Sequence, residues 1–285
     1  MKKNISVQAP RARFHHASIL SSFLFLSFLF AAGGAGAETR DYSPVVFSYA
    51  WDSGVSVWLM GAFKEGKWYE HTALPIMVNG RAITPEEGVE LLEPVPCSTP
   101  LVRGGARLAF YSAEGRKIGA GTVMGTQYST SAASAETFID VEMEMGTGKE
   151  LKMPPGVMSI GVEDGWNAVS APTRRTVEKG NIVFVFEPSE PSKKLSVTFS
   201  PGLDEAGEKV YGGLLAWGEK SLKLTDAYVE EEEQLAGFFI DLNGDGQVEF
   251  VLHSQSIGGF VTAFELRLDR DDPSATEVLS LDLGD

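Results

Sequence analysis

Short apolar runs rich in Val, Ile and aromatic residues recur along this chain from about residue 45 to residue 281. Each is cut off by a cluster of Gly, Pro, Asn, Asp or Ser, and that punctuation restricts the chain to β structure. Residues 45–49 and 55–60 flank the turn cluster Trp51-Asp52-Ser53-Gly54, and residues 108–111 meet 117–123 through Ala113-Glu114-Gly115-Arg116. Residues 138–145 alternate Ile139/Asp140/Val141/Glu142/Met143/Glu144, the period of a half-exposed strand. Residues 158–162, 182–186, 195–199, 214–217 and 260–268 read as further strands, and 276–281 as a closing edge strand. Residues 128–134, rich in Ser, Thr and Ala, read as a surface loop. One helical signal is present. Thr84-Pro85-Glu86-Glu87 is a capping box with proline at the first helical position, so a short helix is expected near residues 85–93. The fold class expected is all-β or β-dominated, with antiparallel sandwich- or barrel-like sheets and that one helix. The 31 glycines agree, because tight turns consume them.

The first 37 residues have the pattern of an export signal. Lys2, Lys3, Arg11 and Arg13 form a basic region, residues 19–30 are an apolar run broken only by serines, and Ala35-Gly36-Ala37 is an A-x-A cleavage site. The apolar run is short for an uncleaved membrane anchor. The expectation is a periplasmic or extracellular chain beginning at Glu38. Glu187-Pro188-Ser189-Glu190-Pro191-Ser192-Lys193-Lys194 is the most linker-like stretch. It divides the remainder into an N-terminal β-rich domain, 38–188, and a C-terminal β domain, 195–285, although a connection between two strands of one domain has the same composition.

Residues 1–37 hold four of the 24 basic residues and none of the 39 acidic ones, which leaves a mature net charge of −19. That balance argues against nucleic acid and anionic membrane surfaces as partners, since both require basic surface. The single cysteine, Cys97, excludes an intramolecular disulfide. It stands in a proline-rich connector without a local catalytic signature, and reads as a free structural thiol.

One stretch implies a specific chemistry: Asp241-Leu242-Asn243-Gly244-Asp245-Gly246-Gln247-Val248-Glu249. Side-chain oxygens stand at relative positions 1, 3, 5 and 9, the Gln247 carbonyl is the backbone ligand expected at 7, and a glycine stands at 6. Hard oxygen ligands crowded into one turn are what Ca²⁺ selects, and a cation explains how three carboxylates coexist in nine residues. Asp241, Asn243, Asp245, Gln247 and Glu249 are the candidate ligands. The loop is not a helical EF-hand, because Leu252 stands where that motif needs a bidentate carboxylate. Residues 236–240 and 248–252 are short, aromatic and β-branched, so the loop is expected to join two strands. An acidic Asn-Gly/Asp-Gly turn without metal is the competing reading, since such dipeptides are hairpin signals by themselves.

In these residues the segment 238–252 resembles the calcium loops of FG-GAP/VCBS-type repeats, as in integrin-like propellers. Those read strand, D-x-[DN]-x-D-G-x-x-[DE], strand. The resemblance implies ligand roles for Asp241, Asn243, Asp245 and Glu249. It implies no propeller, because the pattern occurs once and blades come in several copies.

Catalytic signatures are scarce. There is no G-x-S-x-G elbow and no H-E-x-x-H motif, and Gly146-Thr147-Gly148-Lys149 lacks the rest of a phosphate loop. His253 follows the calcium-loop strand and could act with an acid near the metal, or be a buried strand histidine. Asp140 with Glu142, or Asp164, could serve a glycosidase if suitably spaced. Trp51, Trp58, Trp68 and Tyr69 lie close in sequence and fit either a sugar- or peptide-binding surface or core packing. The expectation carried forward is an exported, non-catalytic β-rich protein with a structural Ca²⁺ site, binding an extracellular protein or glycan or acting as a scaffold. The alternative is a secreted hydrolase acting on polysaccharide or peptide.

Overall fold

A computed structural model describes residues 42–52, 54–83, 93–130, 137–145, 153, 157–164, 173–188, 194–229, 231, 234–254, 259–268 and 272–284. The expected export signal and most of the expected helix, 85–92, lie outside the described residues.

The strands, in chain order, are β1 (Ser43–Trp51), β2 (Gly54–Lys64), β3 (Lys67–Glu70), β4 (Ile76–Val78), β5 (Arg81–Ile83), β6 (Val95–Ser98), β7 (Arg107–Ser112), β8 (Lys117–Thr130), β9 (Thr137–Met145) and β10 (Met158–Glu163). They continue with β11 (Thr173–Glu178), β12 (Asn181–Phe186), β13 (Leu195–Leu203), β14 (Lys209–Trp217), β15 (Lys220–Ala227), β16 (Leu235–Ile240), β17 (Glu249–Ser254), β18 (Gly259–Arg267) and β19 (Ser274–Gly284). The chain is β throughout its described residues, as its composition and periodicity require, and every named strand pair is antiparallel.

The first ten strands form one sheet that closes on itself. β9 pairs with β8 along its length and meets β2 at Trp58↔Asp140, completing the ring β1-β2-β9-β8-β7-β10. Alternate residues fill its interior: Val46, Leu59, Leu108, Phe110, Val123, Tyr128, Ile139 and Val141 are all buried there. Gly161 keeps that interior tight, since a Cβ at this position would lie 2.5 Å from Val46 Cγ2 and 2.9 Å from Phe110 Cε1. β8 bends at a bulge between Val123 and Gly125, which lets it pair first with β7 and then with β6.

The other parity of the same strands faces outward onto a four-stranded sheet, β16-β17-β18-β19. Val45, Phe47, Ala109, Tyr111 and Ile160 share a core with Phe238, Ile240, Val251, Val261, Leu279 and Leu281. The opposite face of that sheet presents Phe239, Phe250, Leu252, Phe264 and Leu266 to Phe184, Val197, Phe199, Tyr211 and Leu215 of the five-stranded sheet β11-β12-β13-β14-β15. The four-stranded sheet is therefore a middle layer covered on both sides, and every residue of β17 is buried. A continuous apolar run such as Phe250-Val251-Leu252 is the sequence signature of that position.

Two sequence expectations change. Residues 128–130 belong to β8 and are not loop; Tyr128 fills the barrel with no exposure, because Thr, Ser and Tyr suit a strand once the neighbouring strands cover it. The linker-like stretch at 187–194 joins β12 to β13, which are hydrogen-bonded neighbours in one sheet, and residues 40–285 form one compact unit. The expected division into 38–188 and 195–285 falls inside that sheet.

Candidate metal centre

The loop 241–248 closes the β16–β17 hairpin at the end of the middle layer. Leu242 is fully buried in the core beneath the barrel wall, and Val248 packs toward the five-stranded sheet. These two apolar residues pin the loop on opposite sides of the layer, and the polar residues between them curl outward. Gly244 and Gly246 take φ of +75° and +83°, the left-handed conformations the curl requires.

Five of the loop's backbone amides donate to its own side chains. Asp241 accepts from Gly244 N at 2.7 Å through Oδ1 and from Gly246 N at 2.9 Å through Oδ2. Asn243 Oδ1 accepts from Asp245 N at 2.9 Å, and Asp245 Oδ1 from Gln247 N at 2.7 Å. Glu249 Oε2 accepts from Leu242 N at 2.7 Å, and its Oε1 from Asn243 Nδ2 at 3.1 Å; the same amide nitrogen lies 3.3 Å from Asp245 Oδ2.

Burial sets the electrostatics. Glu249 is 1% exposed, and desolvation pushes its carboxyl up to about 9, with the charges of Asp241 and Asp245 adding to the rise and the Leu242 amide opposing it. Desolvation likewise raises Asp241, against the hydrogen bonds from Gly246 and Gly244. Among the described residues no ion pair reaches any of the three carboxylates. Nor do any three His, Cys, Asp or Glu side chains among them converge as a metal site by themselves. The donor set in the loop is wholly oxygen, and each carboxylate oxygen that accepts an amide keeps a second lone pair. Its chemistry fits a hard divalent cation, with Asn243 Oδ1 and the Gln247 carbonyl completing what the carboxylates begin.

No protein-family model, curated protein or solved structure matches this chain.

The remaining sequence candidates lie away from the loop. His253 sits on β17 four residues beyond Glu249, roughly 13 Å along a strand rising about 3.3 Å per residue. It is 1% exposed, between Phe47 and Tyr49, with Nδ1 lacking a hydrogen-bond partner, and burial pulls its pKa down to about 4. It is a neutral core histidine. Asp140 and Glu142 share the outer face of β9, where Ser129 Oγ donates to Asp140 at 2.5 Å and Gln127 Nε2 donates to Glu142. Burial raises the Asp140 carboxyl, against hydrogen bonds from Ser129 and Trp58. Trp58 lies against Phe47 and Phe138, and Trp68 against Phe63, so these rings serve packing. Cys97 is half-buried, and burial pushes its thiol up.

One arrangement had no local signal in the sequence. A cleft of about 520 Å³ opens where the barrel end meets the tip of the 241–248 loop. Three basic residues, Lys64, Arg103 and Arg107, and three acidic ones, Glu65, Glu163 and Asp164, line it with Asn243 and Gly244 of the loop. Only the packing of β1, β2, β7, β10 and the β16–β17 hairpin brings these segments together.

Proposed function

We propose that this is an exported, non-catalytic β-rich protein of the envelope or extracellular space, stapled by one Ca²⁺ at the β16–β17 loop, with a binding or scaffolding role. The observation that carries the reading is Glu249. A carboxylate sealed in the core beside two others is held protonated unless a cation replaces the proton, and no basic side chain among the described residues forms an ion pair with it. Asp241, Asn243, Asp245, Glu249 and the Gln247 carbonyl would hold the ion. Bound there, Ca²⁺ supplies charge neutralisation without redox chemistry. The basic, apolar and A-x-A segments within residues 1–37 support export, and extracellular calcium suits a site of modest affinity.

The test is a thermal melt of the purified protein in millimolar Ca²⁺ and again in excess chelator. A ligand at about 100 times its Kd stabilises by about 2.7 kcal/mol, or about 5–10 °C for a chain of this size. Asp245→Ala should abolish the difference between the two conditions. Identical midpoints for the native protein in Ca²⁺ and chelator would refute the calcium site.

A further inference from the structure

We propose that Asn79, in the turn between β4 and β5, is a site of spontaneous deamidation, and that the fold protects Asn243 from the same reaction. The chain contains two Asn-Gly dipeptides, Asn79-Gly80 and Asn243-Gly244. In such a pair the backbone nitrogen of the glycine can attack Cγ of the asparagine, because the glycine has no Cβ to hinder the approach. The N–Cγ bond forms and the bond from Cγ to the side-chain nitrogen breaks. The glycine's proton passes through solvent to the departing ammonia. Water then opens the cyclic imide at one carbonyl or the other, leaving aspartate or isoaspartate. The reaction needs an attacking amide that is not hydrogen-bonded, a side chain able to turn, and a backbone that can leave its resting geometry.

The structure separates the two sites on each count. Asn79 and Gly80 are the central residues of the hairpin closed by Val78↔Arg81, with φ of +50° and +76°. Both are exposed, and a Cβ on Gly80 would meet no atom within 4 Å. Neither the Asn79 side chain nor the Gly80 amide forms a hydrogen bond among the described residues. The strands behind the turn are three residues each, and Met77, Arg81 and Ala82 are exposed, so opening this hairpin disrupts little packing.

Asn243 is the opposite case. It is buried, its Oδ1 accepts from Asp245 N at 2.9 Å, and its Nδ2 donates to Glu249 Oε1 at 3.1 Å. The Gly244 amide that would attack it donates instead to Asp241 Oδ1 at 2.7 Å. Conversion there waits until the loop opens. At Asn79 the product matters to the fold. Isoaspartate routes the main chain through the side-chain carbonyl and lengthens a two-residue turn, so Val78 and Arg81 no longer face each other. β5 ends its sheet and is tied in through β4, which makes it the strand that conversion releases, with Ile83 drawn from the core.

Peptide mapping by mass spectrometry tests this, after incubation at mildly alkaline pH and physiological temperature, once with the protein folded and once in urea. In urea the two asparagines should convert at similar rates. In the folded protein Asn79 should still convert, and Asn243 should do so at least about tenfold more slowly than Asn79, since its chemistry proceeds through the opened loop. An Asn79 that keeps its amide in the folded protein while converting in urea overturns the proposal. So does an Asn243 that converts as fast as Asn79 in the folded protein.

Discussion

His253 should make the protein sensitive to mild acid. Its ring is 1% exposed and packs 5.2 Å from Phe47 and 6.2 Å from Tyr49, measured between ring centres. Burial depresses its pKa from 6.5 to about 4. The unfolded chain therefore takes up the proton first as pH falls, and the associated stability is whole above pH 6.5 and drains away down to pH 4. A gap of two to three pKa units corresponds to about 3 kcal/mol at the acid limit, and about 2 kcal/mol of it is lost by pH 5. The perturbation is His253→Leu, which keeps the volume apolar and removes the titration. Urea unfolding of both proteins at pH 7.5 and pH 5, with chelator throughout, reads the effect. The native protein should lose about 2 kcal/mol more than the variant over that interval, or about 4–8 °C in a parallel melt. Glu249 titrates in the opposite sense, but it is present in both proteins and cancels in the difference. Equal losses would show that His253 is hydrated in the folded state, and the argument from its burial would fail.

Glu249→Gln replaces a carboxyl that the calcium-free fold keeps protonated. At pH 7 in chelator it should be more stable than the native protein by about 3 kcal/mol, because the native fold takes up a proton there that the unfolded chain does not hold, and it should gain nothing from Ca²⁺, as paired melts will show. Gly161→Ala places a methyl group against Val46 and Phe110 inside the barrel and should cost about 1–3 kcal/mol in denaturant unfolding. Cys97 should react slowly with iodoacetamide at pH 7 and at a normal rate once denatured, because burial disfavours its thiolate.

The parts of the fold legible in the sequence are those whose environment is written locally. β9 alternates because one face meets the barrel interior and the other meets solvent or neighbouring side chains. β17 is uniformly apolar because both of its faces are covered. β11 escaped notice: Thr173-Arg174-Arg175-Thr176 is a polar edge strand, and part of its role is to guard β16, with Thr173 Oγ1 accepting from Phe239 N at 2.9 Å and Arg175 Nε donating to Leu235 O at 3.3 Å. The strands β4 to β6 are too short for any period to emerge. Tyr128 looked like a loop residue because nothing adjacent to it in sequence shows that β6 and β9 will flank it. The tight polar loop at 241–248 could be singled out because its oxygen side chains come from nine consecutive residues. The cleft was not, since its walls come from residues near 42, 64, 103, 163 and 243.

The middle layer carries a consequence for how the chain is made. Synthesis delivers β1–β10 first, β11–β15 next and β16–β19 last, so the sheet that separates the other two is the final one to arrive. Until then the barrel wall around Phe47 and Ile160 and the sheet face around Phe184 and Phe199 have no partner. A chain stopped short of residue 235 would lack the strands β16–β19 that cover both apolar faces in the finished fold. Incomplete molecules should therefore be caught by chaperones and proteases, while the finished chain buries both faces in a single closing step.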